Sequence, residues 1–333
     1  MSHRDVVVIG ASAGGIEALA KLLPGLPMDF AAAVLVVLHT TGRPGSLLPQ
    51  VLRRKAKLPV SHPADRTRME HGQVYVAPPD CHMLVEDGVL RVVQGPRENL
   101  HRPAIDPLFR SAAVAAGRRV MGVILTGMMD DGTSGLMVVR AHGGATLVQD
   151  PETAMFPAMP RNALEQVPES KVLPVEEIAA ELVRLVQEEL PVEEGAAPTR
   201  GTREEKESQF LERQLPQIES GQPSAFACPD CGGVLWELEE KGFLRFRCRV
   251  GHAFTAKHLS AEQRHAVETA LWSGLRALEE SAALYSRLAE RAPNSGTGVS
   301  SRFQEHAENR KENARVLRDF LIDVNPGVEE AAD

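Results

Sequence analysis

The sequence predicts an α/β fold with a parallel, Rossmann-like doubly wound sheet in residues 1–190. Short runs of β-branched residues alternate there with helical patterns, as is typical of βαβ units. The first run, residues 6–9, is apolar throughout, as expected for a strand that is covered on both faces. A glycine-rich turn follows, and then apolar residues recur with the i, i+3, i+4, i+7 spacing of one helix face: Ile16, Leu19, Ala20 and Leu23.

The same alternation continues to the end of this domain. The patterns predict strands at 33–38, 74–76, 120–125 and 146–149, and helices at 47–54, 105–116, 134–141 and 176–189. Residues 83–94 instead alternate around Asp87-Gly88, a dipeptide that favours a tight hairpin turn. We therefore expect one antiparallel excursion within the parallel domain.

The composition changes after residue 190. Residues 191–224 are rich in Pro, Gly, Glu and Gln and have no periodicity, which predicts a flexible linker. Residues 225–259, called the Cys/His module below, are expected to form a small zinc-ribbon-like unit. Residues 260–333 contain two amphipathic stretches, at 260–291 and 301–323, which we expect to pack as an antiparallel helical hairpin followed by a tail.

Charge and hydropathy exclude several classes of protein. A net charge of -8 and a pI near 5.8 over 333 residues argue against a general nucleic-acid binder. The longest apolar run, at residues 30–38, is nine residues long, whereas a membrane-spanning helix needs about twenty. The amino terminus has no hydrophobic signal region. We expect a cytoplasmic protein without membrane insertion.

The turn after the first strand, Gly10-Ala11-Ser12-Ala13-Gly14-Gly15, lies where backbone N–H groups at a helix N-terminus can stabilise an anion. It departs from the dinucleotide pattern G-x-G-x-x-G because Ser12 replaces the second glycine. It also fits the G-x-S-x-G turn, in which an exposed serine is the nucleophile and nearby N–H groups hold an oxyanion. Nucleotide binding and simple helix capping by Ser12 remain alternatives.

Two further reactive side chains follow predicted strands. His39 ends the second strand, and the adjacent Asp130 and Asp131 come after the strand at 120–125. The carboxyl ends of parallel strands border the ligand crevice of an open sheet, so Ser12, His39 and an aspartate can converge there. These are the residue types of a serine-hydrolase triad.

Four motifs in this order resemble the catalytic domain of CheB, the chemotaxis protein-glutamate methylesterase. The resemblance covers about residues 5–190 and implies a parallel α/β fold with a catalytic Ser, His and Asp, which by motif are Ser12, His39 and Asp131. The family places this aspartate immediately before a glycine, which selects Asp131 over Asp130. The motifs are Val8-Ile9-Gly10-Ala11-Ser12-Ala13-Gly14-Gly15, His101-Arg102-Pro103-Ala104-Ile105-Asp106-Pro107-Leu108-Phe109, Gly122-Val123-Ile124-Leu125-Thr126-Gly127-Met128-Met129-Asp130-Asp131-Gly132 and Met159-Pro160-Arg161.

The resemblance implies hydrolysis of glutamate methyl esters on the cytoplasmic domain of methylated chemoreceptors, often with deamidation of receptor glutamines. No cofactor is expected for catalysis. We expect oxyanion contacts from the N–H groups of Ala13, Gly14 and Gly15, and the family adds that of Met128. The alternative is a catalytically idle scaffold that binds receptor helices through the same cleft.

The sequence also departs from the family pattern. Ala13 stands where Thr is common, and Leu38 and Thr40 flank His39 where Gln and Met are common. Family members usually begin with a phosphorylatable receiver domain, whereas this sequence starts five residues before its first strand. We therefore expect no phosphorylation-gated activation in cis.

Some reactive residues have an ordinary structural interpretation. Cys81 and His82 are adjacent, so in a strand their side chains point to opposite faces, and we favour a structural role for both. His101, Arg102 and Arg161 can contact an acidic receptor surface or simply be solvated.

The Cys/His module predicts a metal site. Cys228 and Cys231 form C-x2-C, and after sixteen intervening residues Cys248 and His252 form C-x3-H, a ligand set that suits a closed tetrahedral zinc site. Disulfides are the alternative, which a cytoplasmic location disfavours. We expect a hairpin between these pairs and a partner-docking role for the extension, in preference to a lid over the cleft. A basic cluster keeps nucleic-acid binding open: Arg245, Arg247 and Arg249.

Overall fold

A computed structural model describes residues 2–39, 47–190, 221–240, 242–292 and 298–323. Thr40 and most of the predicted linker lie outside the described residues. The chain divides into two compact units, Met1–Leu259 and Ser260–Asp333, so the Cys/His module belongs to the same unit as the α/β domain. None of the helices in the described ranges is both long and apolar enough to cross a membrane.

The α/β domain is built on a seven-stranded sheet in which every pair of neighbouring strands is parallel. Its strands, in spatial order, are β11 (Lys171–Leu173), β10 (Ala145–Gln149), β9 (Val120–Ile124), β2 (Val6–Ala11), β3 (Ala33–Leu38), β6 (Val74–Val76) and β4 (Val60–Ser61). The helices are α1 (Gly15–Leu22), α2 (Leu48–Arg53), α3 (Ile105–Ala116), α4 (Thr133–Ala141), α5 (Ala158–Gln166) and α6 (Val175–Gln187). A short antiparallel pair, β1 (Ser2–His3) with β12 (Glu189–Leu190), was not predicted.

The two faces of the sheet bury two separate apolar cores. Val7 and Ile9 of β2 belong to one core, which includes residues of α1 and α6, while Val6 and Val8 belong to the other, with residues of α3, α4 and α5. Alternate residues of a strand point to opposite faces, so a strand buried on both sides must be apolar throughout. This confirms the predicted doubly wound α/β fold.

The predicted antiparallel excursion is present. β7 (His82–Glu86) and β8 (Val89–Val93) form a hairpin, and β5 (Thr67–Arg68) pairs with β8. Asp87 and Gly88 at the turn both have positive φ, 46° and 79°, as a two-residue hairpin turn requires.

The Cys/His module is built on a four-stranded antiparallel sheet. Its strands, in spatial order, are β13 (Gln222–Ala227), β14 (Val234–Glu240), β15 (Phe243–Cys248) and β16 (Ala253–Thr255). The predicted hairpin between the two ligand pairs is β14–β15. Its small core contains Leu235, Phe246, Phe254 and two of the cysteines, Cys228 and Cys248.

The second unit is a helical hairpin, as predicted. α7 (Ala256–Arg291) begins at the end of the first unit and α8 (Val299–Asp323) follows it. Tyr285 stacks on Phe303 with ring centroids 6.2 Å apart, and Arg318 pairs with Glu279. The later residue of α7, Tyr285, meets the earlier residue of α8, Phe303, while Glu279 meets Arg318, which is the antiparallel arrangement.

Candidate active site

Ser12 lies at the carboxyl end of β2, in the turn that leads into α1. Its N–H donates to the carbonyl oxygen of Thr126 at 3.0 Å, and its own carbonyl accepts the N–H of Gly15 at 2.9 Å. Gly14, at the start of α1, has φ of 74°, a left-handed conformation that favours glycine. The glycines thus bend the chain sharply between strand and helix at Ser12.

His39 lies at the end of the neighbouring strand. Leu38 is the register partner of Ala11, and the His39 N–H donates to the Ala11 carbonyl oxygen at 3.1 Å. Ser12 and His39 therefore follow matched positions on adjacent parallel strands, whose separation is about 4.8 Å. His39 Nε2 is 2.8 Å from Asp131 Oδ2, while the buried Nδ1 has no hydrogen-bond partner within the described part of the chain.

Asp131 is 1% exposed and surrounded by donors. Besides His39, it accepts hydrogen bonds from Asn99 Nδ2 at 2.9 Å and from the N–H groups of Ile105 at 2.7 Å and Asp106 at 3.4 Å. Burial by itself raises the pKa of a carboxyl, but the hydrogen bond and charge of His39 and the Ile105 N–H hold the pKa of Asp131 well below its usual range. Asp131 is therefore a fixed carboxylate facing the imidazole.

A second carboxyl, Asp106, lies behind Asp131 and is completely buried. It accepts hydrogen bonds from Asn99 Nδ2 at 3.1 Å and from the Gly135 N–H at 2.6 Å. Burial and the neighbouring charge of Asp131 raise the pKa of Asp106 to about 7. The Asn99 amide thus contacts both carboxyl groups.

The segment around His101 lines the same site. The His101 ring stacks on His39, and burial, together with the charge of His39, lowers the pKa of His101 to about 3. Arg102 does not project freely, because its guanidinium binds Asp80 at 2.7 Å and the Gly95 carbonyl at 2.8 Å. Arg161, by contrast, is half exposed and lies 3.5 Å from Glu152.

Cys81 and His82 have the environments expected of structural residues. His82 is buried, with Nε2 2.9 Å from the Pro96 carbonyl oxygen and Nδ1 accepting the Ala104 N–H at 3.3 Å. Burial lowers the pKa of His82 and raises that of Cys81. His82 thus supports the segment before α3.

The loop at residues 126–132, which contains Met128 and Asp131, lies beside Ser12. Gly127 is required there by space, because a Cβ on it would lie 2.9 Å from the Ser12 Cβ and 2.6 Å from the Met159 methyl group. Met128 is 48% exposed, as are Met155 at 62% and Phe156 at 37%. The side of the site next to Ser12 therefore presents exposed apolar side chains.

Sequence reasoning missed the residues that surround Asp130. This carboxyl is 3% exposed and accepts the Thr255 hydroxyl at 2.8 Å, and His258 Nδ1 lies 2.8 Å from the same oxygen. Thr255 and His258 follow the Cys/His motif, and no spacing in the sequence links them to residue 130.

The Cys/His module is docked against the α/β domain through buried charged residues. Arg245 is 2% exposed and binds Glu98 at 3.2 Å and Ser134 at 3.1 Å, and Glu98 also pairs with Arg110 at 2.7 Å. Burial opposes ionisation of Glu98, but the arginine charges lower its pKa to about 2. Arg247 is also only 3% exposed, so two of the three arginines of the predicted basic cluster are buried and Arg249 is exposed.

The four predicted metal ligands are brought together. The ligand atoms of Cys228, Cys231, Cys248 and His252 all lie within 4.8 Å of one another. The Cys231 and Cys248 sulfurs are 3.7 Å apart, and Cys248 Sγ is 3.6 Å from His252 Nδ1. Ligands about 2.3 Å from a tetrahedral zinc ion are separated by about 3.8 Å, so the cluster fits zinc. The four cysteines of the chain are all free thiols, so the disulfide alternative is not adopted.

Comparison with known proteins gives consistent matches to the α/β domain. The family model described as CheB methylesterase matches residues 7–182. A putative protein-glutamate methylesterase/protein-glutamine glutaminase of Leptospira interrogans is 38% identical over 187 residues, which are 56% of this chain and 97% of the relative. A protein-glutamate methylesterase/protein-glutamine glutaminase of Anaeromyxobacter dehalogenans is 42% identical over 183 residues, 55% of this chain and 54% of the relative.

A solved structure agrees with these sequence matches. The crystal structure of the Thermotoga maritima CheB methylesterase catalytic domain superimposes with a TM-score of 0.53 and 33% identity, covering 56% of this chain and all of that domain. The match to the family model, the relatives and this fold together cover the domain that holds Ser12, His39 and Asp131. The chain therefore belongs to the CheB methylesterase family.

Proposed function

We propose that this chain is a cytoplasmic serine hydrolase that removes methyl groups from glutamate methyl esters of chemoreceptors and also deamidates receptor glutamines. The observation that carries the proposal is the buried His39–Asp131 pair, 2.8 Å apart, at the strand end next to Ser12. The names of the relatives support this substrate class, since they are protein-glutamate methylesterases/protein-glutamine glutaminases.

In the proposed reaction, Ser12 Oγ attacks the carbonyl carbon of the glutamyl methyl ester while His39 accepts the hydroxyl proton. The charge of Asp131 stabilises the resulting imidazolium. His39 then gives the proton to the departing methoxide, which leaves as methanol. Water, deprotonated by His39, attacks the acyl-enzyme, and the glutamate product and the Ser12 hydroxyl are restored.

The oxyanion of each tetrahedral intermediate needs backbone donors near Ser12. We propose the N–H groups of Ala13, Gly14, Gly15 and Met128. The Gly15 N–H already donates to the Ser12 carbonyl, which makes it the least available of the four. The position of Met128 supports its inclusion, because a Cβ on the neighbouring residue Gly127 would lie 2.9 Å from the Ser12 Cβ.

We also propose that Cys228, Cys231, Cys248 and His252 hold a structural zinc ion. Four ligands close the coordination sphere, so the ion would stabilise the Cys/His module without taking part in catalysis. The small core of this module supports a need for such a crosslink.

The test is release of methanol from a methylated chemoreceptor cytoplasmic fragment by the full chain. We expect release with the wild type, none with Ser12→Ala, and wild-type release with Ser61→Ala, which alters an exposed serine on β4. Binding of the fragment without methanol release by the wild type would favour the idle-scaffold alternative and overturn the enzyme proposal.

A further inference from the structure

Two loops that carry the candidate catalytic groups are held by the segment that ends the Cys/His module, residues 253–258. One is the loop at residues 126–132, which carries Asp131, and the other is the segment at residues 97–101, which carries Asn99 and His101. These contacts lie within the first compact unit.

On the loop at 126–132, the partners of the Asp130 carboxylate come from this segment. Thr255 Oγ1 donates to it at 2.8 Å, and His258 Nδ1 lies at 2.8 Å. Lys257 adds an indirect contact, since its ammonium binds Asn162, whose amide donates to the carbonyl next to Asp130 at 2.6 Å. A buried carboxylate deprived of its donors is costly, so without these contacts Asp130 would turn toward water and carry Asp131 with it.

On the segment at 97–101, the contacts reach Asp131 through Asn99. The Thr255 N–H donates to Asn99 Oδ1 at 3.0 Å, and Asn99 Nδ2 donates to Asp131 at 2.9 Å. The Asn99 N–H also donates to the Ala253 carbonyl at 2.8 Å. Asn99 and Leu100 both have positive φ, 49° and 68°, a conformation that needs external support in non-glycine residues.

We propose that Thr255 and His258 are positioning residues for the catalytic centre, so that the Cys/His module is an integral part of the active enzyme. Thr255 holds both Asp130 and Asn99, the two residues that fix Asp131 from either side. His258 holds Asp130, and its ring lies edge-on to His101, with centroids 6.3 Å apart, while His101 stacks on His39. The inference rests on the proposed esterase function.

The position of these contacts separates this role from that of a lid. They fall on Asp130, Asn99 and Asn162, and within the described residues no hydrogen bond from the module reaches Ser12 or Gly14. Met155, whose side chain lies next to Gly14, is 62% exposed. The nucleophile thus stays accessible while the general base is supported from behind.

The experiment compares four variants of the full chain. Thr255→Val removes the hydroxyl donor to Asp130 but keeps the Thr255 N–H bond to Asn99, and His258→Leu removes the imidazole beside Asp130. Thr255→Ser and His258→Asn keep a hydroxyl or an N–H group at the same place. Two matched controls remove similar groups elsewhere: Thr67→Val, whose hydroxyl binds the Ala64 carbonyl, and His142→Leu, an exposed imidazole. Each protein is assayed for kcat and KM of ester hydrolysis, and for the downfield proton resonance of the His39–Asp131 hydrogen bond, assigned by its loss in His39→Ala.

We expect Thr255→Val and His258→Leu to lower kcat by about 10- to 100-fold with little change in KM, since a displacement of about 1 Å costs that much. The downfield resonance should shift or broaden in these two variants. Thr255→Ser and His258→Asn should recover most of the activity, and both controls should behave as the wild type.

The alternatives give different outcomes. A rise in kcat would identify the module as an autoinhibitory lid, and an unchanged kcat and resonance would leave it a docking element only; either result overturns the inference. If the wild type hydrolyses no ester, the proposed function fails, and the resonance still decides whether Thr255 and His258 position Asp131.

Discussion

The imidazole of His101 lies face to face with that of His39, with ring centroids 3.6 Å apart and planes inclined by 15°. Two protonated rings at this separation would repel each other, so in the proposed mechanism His39 accepts a proton only if His101 stays neutral. Burial and this repulsion achieve that by lowering the pKa of His101 to about 3. The stacked ring also limits the planes that His39 can adopt toward Asp131.

This arrangement predicts a pH-dependent stability difference between the wild type and His101→Phe. Because the folded-state pKa of His101 lies below its ordinary value near 6.5, the unfolded state binds more protons between about pH 6.5 and pH 3. The contribution of neutral His101 to the free energy of unfolding is therefore fully present above pH 6.5 and is lost as the pH falls toward 3. Each pKa unit corresponds to about 1.4 kcal/mol, and phenylalanine stacks without titrating.

We therefore expect the wild type to lose at least about 1 kcal/mol of unfolding free energy relative to His101→Phe between pH 8 and pH 4. Urea denaturation at both pH values measures this difference. Parallel pH profiles for the two proteins would show that His101 binds protons equally well in both states.

Substitutions of Ser12, His39 and Asp131 should be strongly non-additive. Each single change to Ala, or Asp131→Asn, is expected to lower kcat by about 1000-fold or more, because the three groups act in one proton transfer. The double variant Ser12→Ala/His39→Ala should be no slower than either single variant. Methanol release measures the rates, and losses that multiply would contradict a shared step.

One zinc ion per chain is expected in protein purified without chelator, and it should be lost in Cys228→Ser. Cys81→Ser is the matched control, since Cys81 lies in the α/β domain outside the ligand cluster. Metal analysis of the three proteins tests the assignment. Equal zinc contents in Cys228→Ser and the wild type would rule out this ligand set.

Within the buried group Arg110–Glu98–Arg245, Glu98→Gln should destabilise the protein more than Arg245→Met. Loss of Glu98 leaves two guanidinium groups without their shared carboxylate, a change that costs about 3–5 kcal/mol, whereas loss of Arg245 leaves Glu98 still paired with Arg110. Denaturant unfolding gives both values. The reverse order would mean that Arg245 is the principal anchor of Glu98.

The local patterns were sufficient to predict much of this fold. Runs such as residues 33–38 are short and apolar at every position, which is typical of a strand covered on both faces, and β3 has the predicted bounds. The Asp87-Gly88 turn and the C-x2-C and C-x3-H pairs could also be predicted from the sequence, because each depends on residues that are close along the chain.

The approach of His39 to Asp131 depended on topology. The two residues are 92 positions apart, and they meet because β2 lies between β3 and β9 in a parallel sheet. The rule that functional groups gather at carboxyl strand ends predicts this meeting. The family resemblance was needed to choose Asp131 over Asp130.

The sequence by itself thus determined the α/β class, the helical hairpin, the four clustered candidate metal ligands and the choice of the three candidate catalytic residues. Only the tertiary structure decided where the Cys/His module lies, and with it the roles of Asn99, Asp130, Thr255 and His258. Asp130 and Thr255 are 125 residues apart, and their pairing follows from satisfying a buried carboxylate across a docked surface. Periodicity and motif spacing describe neighbours along the chain, whereas such a contact depends on the shapes and unpaired polar groups of two folded surfaces.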